Sequence, residues 1–414
     1  MIPLNFANDH RPCVKLVKPE RLRPMAGHVA VALDKLMIVW GGYYITEQNM
    51  EQYNLPKDLF IYDTVLDKWF CFETAGEYPP ENSGSCAVLV QMTLYIFGGF
   101  CDGIYDYAHV YALDLRTLIW RHLQPASGSL VPTVRHKLAG WYYRDKLYFF
   151  GGFGPPPHIS RPLDGHLFYL QSSSSQFVYD GNLQFTNAWN SQLISFDLTT
   201  HTWELLPLVG NAPSARAAHS AVALPGSSKV VLFGGRLQQY RMNDMYILDL
   251  PSMIWSKIEG NEGPCGRSWH TTVAIDSNTI LLFGGFSQDS IPLSDSWYFN
   301  VEKRRWTKLE RESIKQNRLW HSAVAINKSC YAFGGCKSNI LAINTVREFA
   351  NDLSVIEASP KPLFQQCLKY INDNRNAYST RLAQLPGPLY EKLHFIASER
   401  RQKSVKTPME LIRI

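Results

Sequence analysis

The 414-residue chain is longer than a single hydrophobic core normally supports, which favours two domains or a repeat architecture. Aromatic residues make up 13% of the sequence and charged residues 19%, a balance that favours half-buried strands over disorder. The net charge of +5 is small and dispersed, which argues against a nucleic-acid-binding protein.

Targeting and metal-binding signals are missing from the sequence. We find no run of about 18 apolar residues and no signal-peptide pattern, so we expect no membrane span. The eight cysteines show no zinc-ligand spacing and are interpreted as buried thiols of a reducing compartment. We therefore expect a cytoplasmic or nuclear protein that needs no metal or cofactor.

A motif of about fifty residues recurs along most of the chain. Each copy has a strand-like apolar run that ends in a glycine pair. The pairs are Gly41-Gly42, Gly98-Gly99, Gly151-Gly152, Gly234-Gly235, Gly284-Gly285 and Gly334-Gly335. In five copies an Asp or Asn follows, with a Trp six residues later: Trp69, Trp120, Trp203, Trp255 and Trp306. We expect these tryptophans in the core.

A His position precedes the apolar run, often as Arg-x-x-His. His28, His219, His270 and His321 occupy it. Because they recur at one place in the repeat, blade packing explains these histidines better than metal binding does.

The pattern resembles the kelch repeat, whose four-stranded units form the blades of a β-propeller. The resemblance implies an all-β fold, a six-bladed kelch β-propeller over residues 10–357. The sixth repeat lacks its tryptophan strand, and Cys13-Val-Lys-Leu-Val17 is similar to Trp306-Thr-Lys-Leu309. We therefore expect the N-terminal strand to close the last blade, which would remove an exposed sheet edge.

The third repeat carries an insertion. Successive glycine pairs are 57, 53, 83, 50 and 50 residues apart, so about thirty extra residues lie within 154–188. A loop of this length in a compact fold is usually functional or disordered.

Several unusual residues are expected on one face of the propeller. Strands alternate in direction within a blade, so the loop after each glycine pair and the loop before each His strand emerge on the same side. This sorting predicts an aromatic funnel that also holds cationic groups. Its members are Tyr43, Phe100, Phe153, Arg236, Phe286, Cys336, Lys137, Ser268, Trp269, Trp320 and Trp189, with Arg241 nearby.

Arg236 departs from the repeat, because the other glycine pairs are followed by an aromatic or small residue. Two arginines in an apolar bowl suit a carboxylate, since guanidinium groups bind carboxylates through paired hydrogen bonds. The alternative is that Arg236 or Arg241 pairs with Asp244 or a neighbouring carboxylate and merely holds the loop.

After residue 357 the β pattern stops. Residues 358–400 predict two short helices, one with Leu363, Cys367 and Ile371 on one face and, after Leu385-Pro386, one with Leu389, Leu393 and Ile396 on one face. The first looks like a BC-box, which binds elongin C, and the second resembles a cullin-2 box. Both helices could instead simply pack beneath the propeller. Residues 401–414 form a basic tail.

Together these motifs resemble the family of kelch domain-containing proteins 1 and 2. The resemblance implies a non-catalytic substrate receptor of a cullin-2, elongin B/C and RING ubiquitin ligase that binds C-terminal diglycine degrons. It assigns Arg236, Arg241 and Ser268 to the terminal carboxylate. It places Tyr43, Lys137, Phe153, Trp189, Trp269 and Trp320 in the pocket walls, Leu363, Cys367 and Ile371 against elongin, and Leu385, Pro386 and Leu389 against cullin.

Two other functions remain open from the sequence. A kelch propeller can be a scaffold for a folded partner, or a receptor for a different glycine-ended degron. An oxidase is disfavoured, because no Tyr, His and Cys set is spaced for copper and no nucleophile has an evident base.

Overall fold

The structure is a computed structural model that describes residues 14–17, 22–101, 109–129, 131–156, 176–180, 187–260, 262–309, 316–342 and 346–357. Over these residues the regular secondary structure is all β, as predicted. None of them lies in a helix that could span a bilayer. The segment 358–400, with its predicted elongin and cullin contacts, and the basic tail lie outside the described residues.

The strands are short and follow one another along the whole described chain. In chain order they are β1 Val14–Val17, β2 Val29–Leu33, β3 Leu36–Trp40, β4 Tyr43–Ile45, β5 Glu51–Tyr53, β6 Asp58–Asp63, β7 Lys68–Glu73, β8 Ala75–Gly76, β9 Cys86–Val90, β10 Thr93–Phe97, β11 Val110–Asp114, β12 Ile119–Leu123, β13 Ala139–Tyr143, β14 Lys146–Phe150, β15 Phe153–Gly154, β16 Phe177–Tyr179, β17 Ala188–Asn190, β18 Leu193–Asp197, β19 Trp203–Leu206, β20 Val209–Gly210, β21 Ser220–Ala223, β22 Lys229–Phe233, β23 Arg236–Leu237, β24 Tyr240–Arg241, β25 Met245–Asp249, β26 Ile254–Ile258, β27 Arg267–Ser268, β28 Thr271–Ala274, β29 Thr279–Ser287, β30 Pro292–Asn300, β31 Arg305–Lys308, β32 Ser322–Ile326, β33 Ser329–Phe333 and β34 Leu353–Glu357.

Six sheets form the blades of a β-propeller, and the strands named next pair antiparallel, while β8 and β20 add a short parallel strand to the outer edges of blades 2 and 4. Blade 1 contains β2, β3, β6 and β7; blade 2, β9 to β12; blade 3, β13, β14, β18 and β19; blade 4, β21, β22, β25 and β26; blade 5, β28 to β31; blade 6, β32 to β34. The first strand of each blade contacts the first strands of its two neighbours, and β2 contacts β32. The ring of blades is therefore closed, and the predicted six-bladed propeller is found.

The N-terminal strand lies in a different sheet from the one we expected. β1 pairs antiparallel with β7, the outermost strand of blade 1, with Val17 opposite Trp69. In the described part of the chain blade 6 has three strands. The prediction that residues 14–17 close the last blade is wrong. Their sequence specifies a strand, but it does not choose between two sheet edges whose backbone groups offer the same hydrogen bonds.

Six backbone hydrogen bonds form a second, inner closure. The residue before each His position donates its N–H to the carbonyl of the equivalent residue in the preceding blade, with N···O distances of 2.7–3.0 Å. The ring consists of Gly27, Gly84, Lys137, Ala218, Trp269 and Trp320, which all have φ between 53° and 69°. A positive φ turns each N–H and C=O toward the neighbouring blade, at a cost for the four residues that are not glycine.

The recurring residues pack the blades together, as predicted. The ring of each of the four repeat histidines packs edge-to-face against a phenylalanine ring of the preceding blade. The ring centroids are 5.0–5.7 Å apart. The five repeat tryptophans are buried. Gly235 shows why a glycine pair is needed, since it has φ 103° and a Cβ there would lie 2.7 Å from the His219 Cβ. Among the described cysteines Cys265 is exposed, so the prediction of buried thiols fails there.

Candidate functional site

The predicted common face is confirmed in all six blades. The residue after each glycine pair forms a β-bridge with the residue two positions before the His position. The paired residues are Ala26 and Tyr43, Ser83 and Phe100, His136 and Phe153, Ala217 and Arg236, Ser268 and Phe286, and Leu319 and Cys336. Both kinds of loop therefore meet at one end of the propeller, around the inner hydrogen-bond ring.

Three large side chains of the ring lie together near the propeller axis. The Lys137 Nζ lies 5.1 Å from the ring centroid of Trp320 and 5.6 Å from that of Trp269, so its charge is held over two indole faces. The two indoles are 5.8 Å apart, and Tyr43 packs edge-on against Trp320 at 5.5 Å. These four residues form an aromatic floor with one cation.

The glycines of the ring leave space for this floor. A Cβ on Gly27 would lie 3.1 Å from the Trp320 ring, and one on Gly84 would lie 3.6 Å from it. Trp320 therefore extends across the two blades that have no side chain at this position. A cavity of about 240 Å³ continues from the ring into the central channel between the innermost strands.

Part of the third-repeat insertion builds a wall on this face. β15, β16 and β17 form a three-stranded sheet that places Phe153 opposite Trp189, with their rings 4.7 Å apart. Trp189 is buried in a cluster that also contains Leu237 of blade 4. The remaining insertion residues, 157–175 and 181–186, lie outside the described part of the chain.

Arg236 and Arg241 belong to one small hairpin. β23 and β24 are joined by a two-residue turn in which Gln238 has φ 52°, as tight hairpin turns require. Arg236 and Arg241 are directly opposite in the register. Because side chains alternate along a strand, both arginines lie on the same face of the hairpin, and Leu237 and Tyr240 lie on the other.

Three arginines of the repeat motif are paired with carboxylates, whereas buried Arg135 of blade 3 donates to the side-chain oxygens of Thr133, Asn190 and Gln192. The two hairpin arginines have no carboxylate partner in the described ranges. Arg216 binds Asp244 at 2.7 Å, Arg267 binds Asp295 at 2.7 Å, and Arg318 binds Asp352. Within the described ranges no carboxylate lies within ion-pair distance of Arg236, Arg241 or Lys137, which form the cationic group of this face. The alternative in which Asp244 pairs with a hairpin arginine is wrong, because the Asp244 carboxylate forms its ion pair with Arg216.

Burial and the charge of Arg236 lower the pKa values of the other two cations of this group. Burial lowers the pKa of Lys137 to about 8, and the charge of Arg236 adds to the shift. Burial also lowers the pKa of Arg241 to about 10, again with a contribution from Arg236. Burial lowers the pKa of Arg236 as well, an effect that Asp180 partly offsets. The contribution of Arg236 to two of these shifts, together with the absence of an ion pair in the described ranges, favours an anionic ligand.

Ser268 lies beneath the hairpin and is fully buried. Its hydroxyl oxygen accepts the Nε–H of Arg241 at 3.2 Å. The structure therefore brings Ser268 to Arg241, as the predicted site requires, through a direct hydrogen bond between the two side chains.

The predicted site residues form two groups on either side of the hairpin. Tyr43, Trp269 and Trp320 belong to one hydrophobic cluster, and Phe153 and Trp189 to the other. Phe286 and Gln288 also contact Arg241. The sequence placed Phe286 on the common face, because it follows a glycine pair, but did not assign it to the carboxylate site or to the pocket walls. Nothing in the sequence pattern marks Gln288.

Comparisons with known proteins agree with the repeat pattern. A family model described as "KLHDC2/KLHL20/DRC7 Kelch-repeats domain" matches residues 27–173 and 155–335. The chain is similar to kelch domain-containing protein 1 of Mus musculus, with 36% identity over 379 residues, and of Homo sapiens, with 36% over 380; each match covers 89% of both proteins. It is also similar to kelch domain-containing protein 2 of Bos taurus, with 34% identity over 354 residues and 84% of both covered.

Proposed function

Because the chain belongs to the kelch-repeat family that includes kelch domain-containing proteins 1 and 2, we propose that it is the substrate-recognition subunit of a cullin-2 RING ubiquitin ligase. In this role the propeller face binds C-terminal diglycine degrons of substrate proteins. The C-terminal residues 358–400 bind elongin B/C and cullin-2. The protein has no catalytic activity of its own and acts in the cytoplasm or the nucleus.

One observation supports carboxylate binding more than any other. Arg236 and Arg241 share one face of a hairpin and have no ion pair within the described residues, whereas Arg216, Arg267 and Arg318 each have one. A buried or half-buried cation without a carboxylate is unfavourable unless buried polar groups compensate it, as the amides of Asn190 and Gln192 do for Arg135, or a ligand supplies the counter-charge. A peptide carboxylate matches two guanidinium groups in charge and in hydrogen-bonding geometry.

The floor of the site supports a preference for glycine at the chain end. Trp269, Trp320 and Tyr43 lie at the inner hydrogen-bond ring of the propeller. The side chains of Trp269 and Tyr43 are less than a tenth exposed. In the proposed binding mode, a terminal residue whose carboxylate binds the arginines lies against these rings. A Cβ and longer side chain would meet them, so exclusion adds to the attraction of the carboxylate.

Binding of a labelled peptide that ends in Gly-Gly, measured by fluorescence polarisation, tests the proposal. The same peptide is also tested with an amidated C terminus and with Gly-Ala at its end. We expect tight binding of the free Gly-Gly acid only. Equal binding of all three peptides, or none, would contradict the degron function and favour a propeller scaffold for a folded partner. Tight binding of the Gly-Ala acid would indicate a different C-terminal degron.

The ligase role needs a separate test with the full-length chain. Elongin B/C is mixed with the wild type and with a Leu363→Ala, Cys367→Ala variant, and complexes are separated by size-exclusion chromatography. We expect a complex with the wild type only. Peptide binding by the variant provides the control, because it should be unchanged if the propeller is intact. Equal complex formation by both proteins would contradict the BC-box assignment.

A further inference from the structure

Arg241 is held from blade 5 by three contacts of different kinds. Its guanidinium carbon lies 4.5 Å from the ring centroid of Phe286, a residue with no exposed surface. Its Nε–H donates to the Ser268 hydroxyl at 3.2 Å, and its backbone N–H donates to the Gln288 side-chain oxygen at 2.7 Å. Together the three contacts hold the face of the Arg241 guanidinium group, its Nε–H and its backbone N–H.

Gln288 also fixes the tip of the hairpin. Its amide nitrogen donates to the backbone carbonyl of Gln239 at 3.2 Å, while its oxygen accepts from the Arg241 N–H. One side-chain amide therefore bridges two backbone groups on either side of Tyr240. Such a bridge connects the hairpin of blade 4 to the loop of blade 5 without using either guanidinium.

Arg236 is held differently. Its Nε–H donates to the carbonyl of Gln238, which belongs to the same hairpin turn. Its backbone pairs with Ala217 of blade 4. The contacts that orient Arg236 thus come from its own blade, whereas those that orient Arg241 come from the next blade.

We infer that Phe286 and Gln288 are positioning residues that preorganise Arg241 for the terminal carboxylate, while Arg236 orients independently of them. The inference rests on the proposed function. The stacked face and the Nε edge of Arg241 are already used by the protein, which leaves its terminal nitrogens to donate to a ligand. A cation held in its bound geometry loses less conformational freedom on binding, and the ligand gains affinity.

A double-mutant cycle tests this inference. Phe286→Leu removes the ring under Arg241 but keeps an apolar side chain against Trp269, whose ring centroid lies 6.1 Å from that of Phe286. It is combined with Arg241→Ala or with Arg236→Ala. Affinity for the Gly-Gly acid peptide is measured by fluorescence polarisation, and the melting temperature is measured for every variant. Phe283→Leu is the matched control, because Phe283 is equally buried in the same strand but contacts His321.

The expected result is an unequal coupling. Phe286→Leu should weaken binding about fivefold in the wild type and in Arg236→Ala, and have no further effect in Arg241→Ala. Phe283→Leu should leave affinity unchanged. If Phe286→Leu is additive with both arginine variants, or leaves affinity unchanged, the inference is overturned.

Gln288→Ala gives a second route in case Phe286→Leu does not fold. Gln288 is exposed, so its removal should leave the melting temperature unchanged and weaken binding about threefold, again only where Arg241 is present. Failure of the proposed function is distinguishable from failure of this inference. If the wild type binds acid and amide peptides equally, the proposed function and this inference are both contradicted. If the wild type prefers the acid peptide but both mutant cycles are additive, only this inference is contradicted.

Discussion

Arg216 binds Asp244 through two hydrogen bonds, of 2.7 and 2.9 Å, and thereby removes from the hairpin region the carboxylate nearest to it in sequence. The Arg216 side chain is fully buried, and it also donates to the Gly234 carbonyl. The pair is structural, and it leaves Arg236 and Arg241 without that partner.

Substitution of Asp244 should therefore reduce stability more than it affects the binding site. In Asp244→Asn the Arg216 charge stays buried without a counter-charge, which we expect to cost about 3 kcal/mol of unfolding free energy. Urea denaturation followed by tryptophan fluorescence measures the loss. The variant should retain its preference for the acid peptide at a temperature where it is folded. A change below about 0.5 kcal/mol would contradict the structural role.

Acid should destabilise the wild type through the same carboxylates. Burial alone would raise the pKa of Asp244 and of Asp295, but Arg216 and Arg267 outweigh it and hold both values below the usual range. The folded state then binds fewer protons than the unfolded state, so the stabilisation is present above about pH 4 and is lost as the pH falls further. Urea unfolding between pH 5 and 3 should show a steeper loss in the wild type than in Asp244→Asn. Parallel losses would contradict this account.

Gly27→Ala and Gly84→Ala form a matched pair that tests the aromatic floor. Both positions have φ near 68°, so each substitution should cost about 1 kcal/mol in backbone strain. A Cβ at Gly27 would lie 2.9 Å from the Ser83 Cβ and 3.1 Å from the Trp320 ring, which adds to the cost of Gly27→Ala, whereas one at Gly84 would make ordinary contacts with Lys137 at 3.4 Å and Trp320 at 3.6 Å. Gly27→Ala should therefore displace Trp320 and weaken peptide binding about tenfold, whereas Gly84→Ala should bind normally. Thermal denaturation and fluorescence polarisation measure both effects, and equal binding by the two variants would contradict the role of Trp320.

Alkaline pH should weaken peptide binding through Lys137. Because its pKa is lowered to about 8, this side chain loses its charge between pH 7 and 9, while Arg241, with a pKa of about 10, remains charged. Neighbouring His136 is neutral throughout, since burial holds its pKa well below 6.5. We expect affinity to fall about threefold over this range in the wild type and to stay constant in Lys137→Met. Identical pH profiles for the two proteins would contradict a contribution of the ammonium group.

The repeat made most of the fold predictable from the sequence, because each blade uses the same residues for the same contacts. The common face also followed, since strand alternation alone decides which loops meet. The partner of β1 did not follow, because hydrogen bonds at a sheet edge carry no sequence information. The Gln288 bridge was equally hidden, since an exposed amide leaves no periodic pattern. The pairing of Asp244 with Arg216, rather than with a hairpin arginine, depends on the registers of β21 with β22 and of β22 with β25, which the sequence pattern does not give.

The most direct test of the central claim compares the affinity of a Gly-Gly acid peptide with that of its amide in the wild type, Arg236→Ala and Arg241→Ala. Loss of either guanidinium should weaken acid binding by about 3 kcal/mol, roughly a hundredfold, and leave amide binding unchanged. The acid preference would then disappear in both variants. A wild type that binds acid and amide equally, or arginine variants that keep the wild-type preference, would contradict carboxylate recognition by this hairpin.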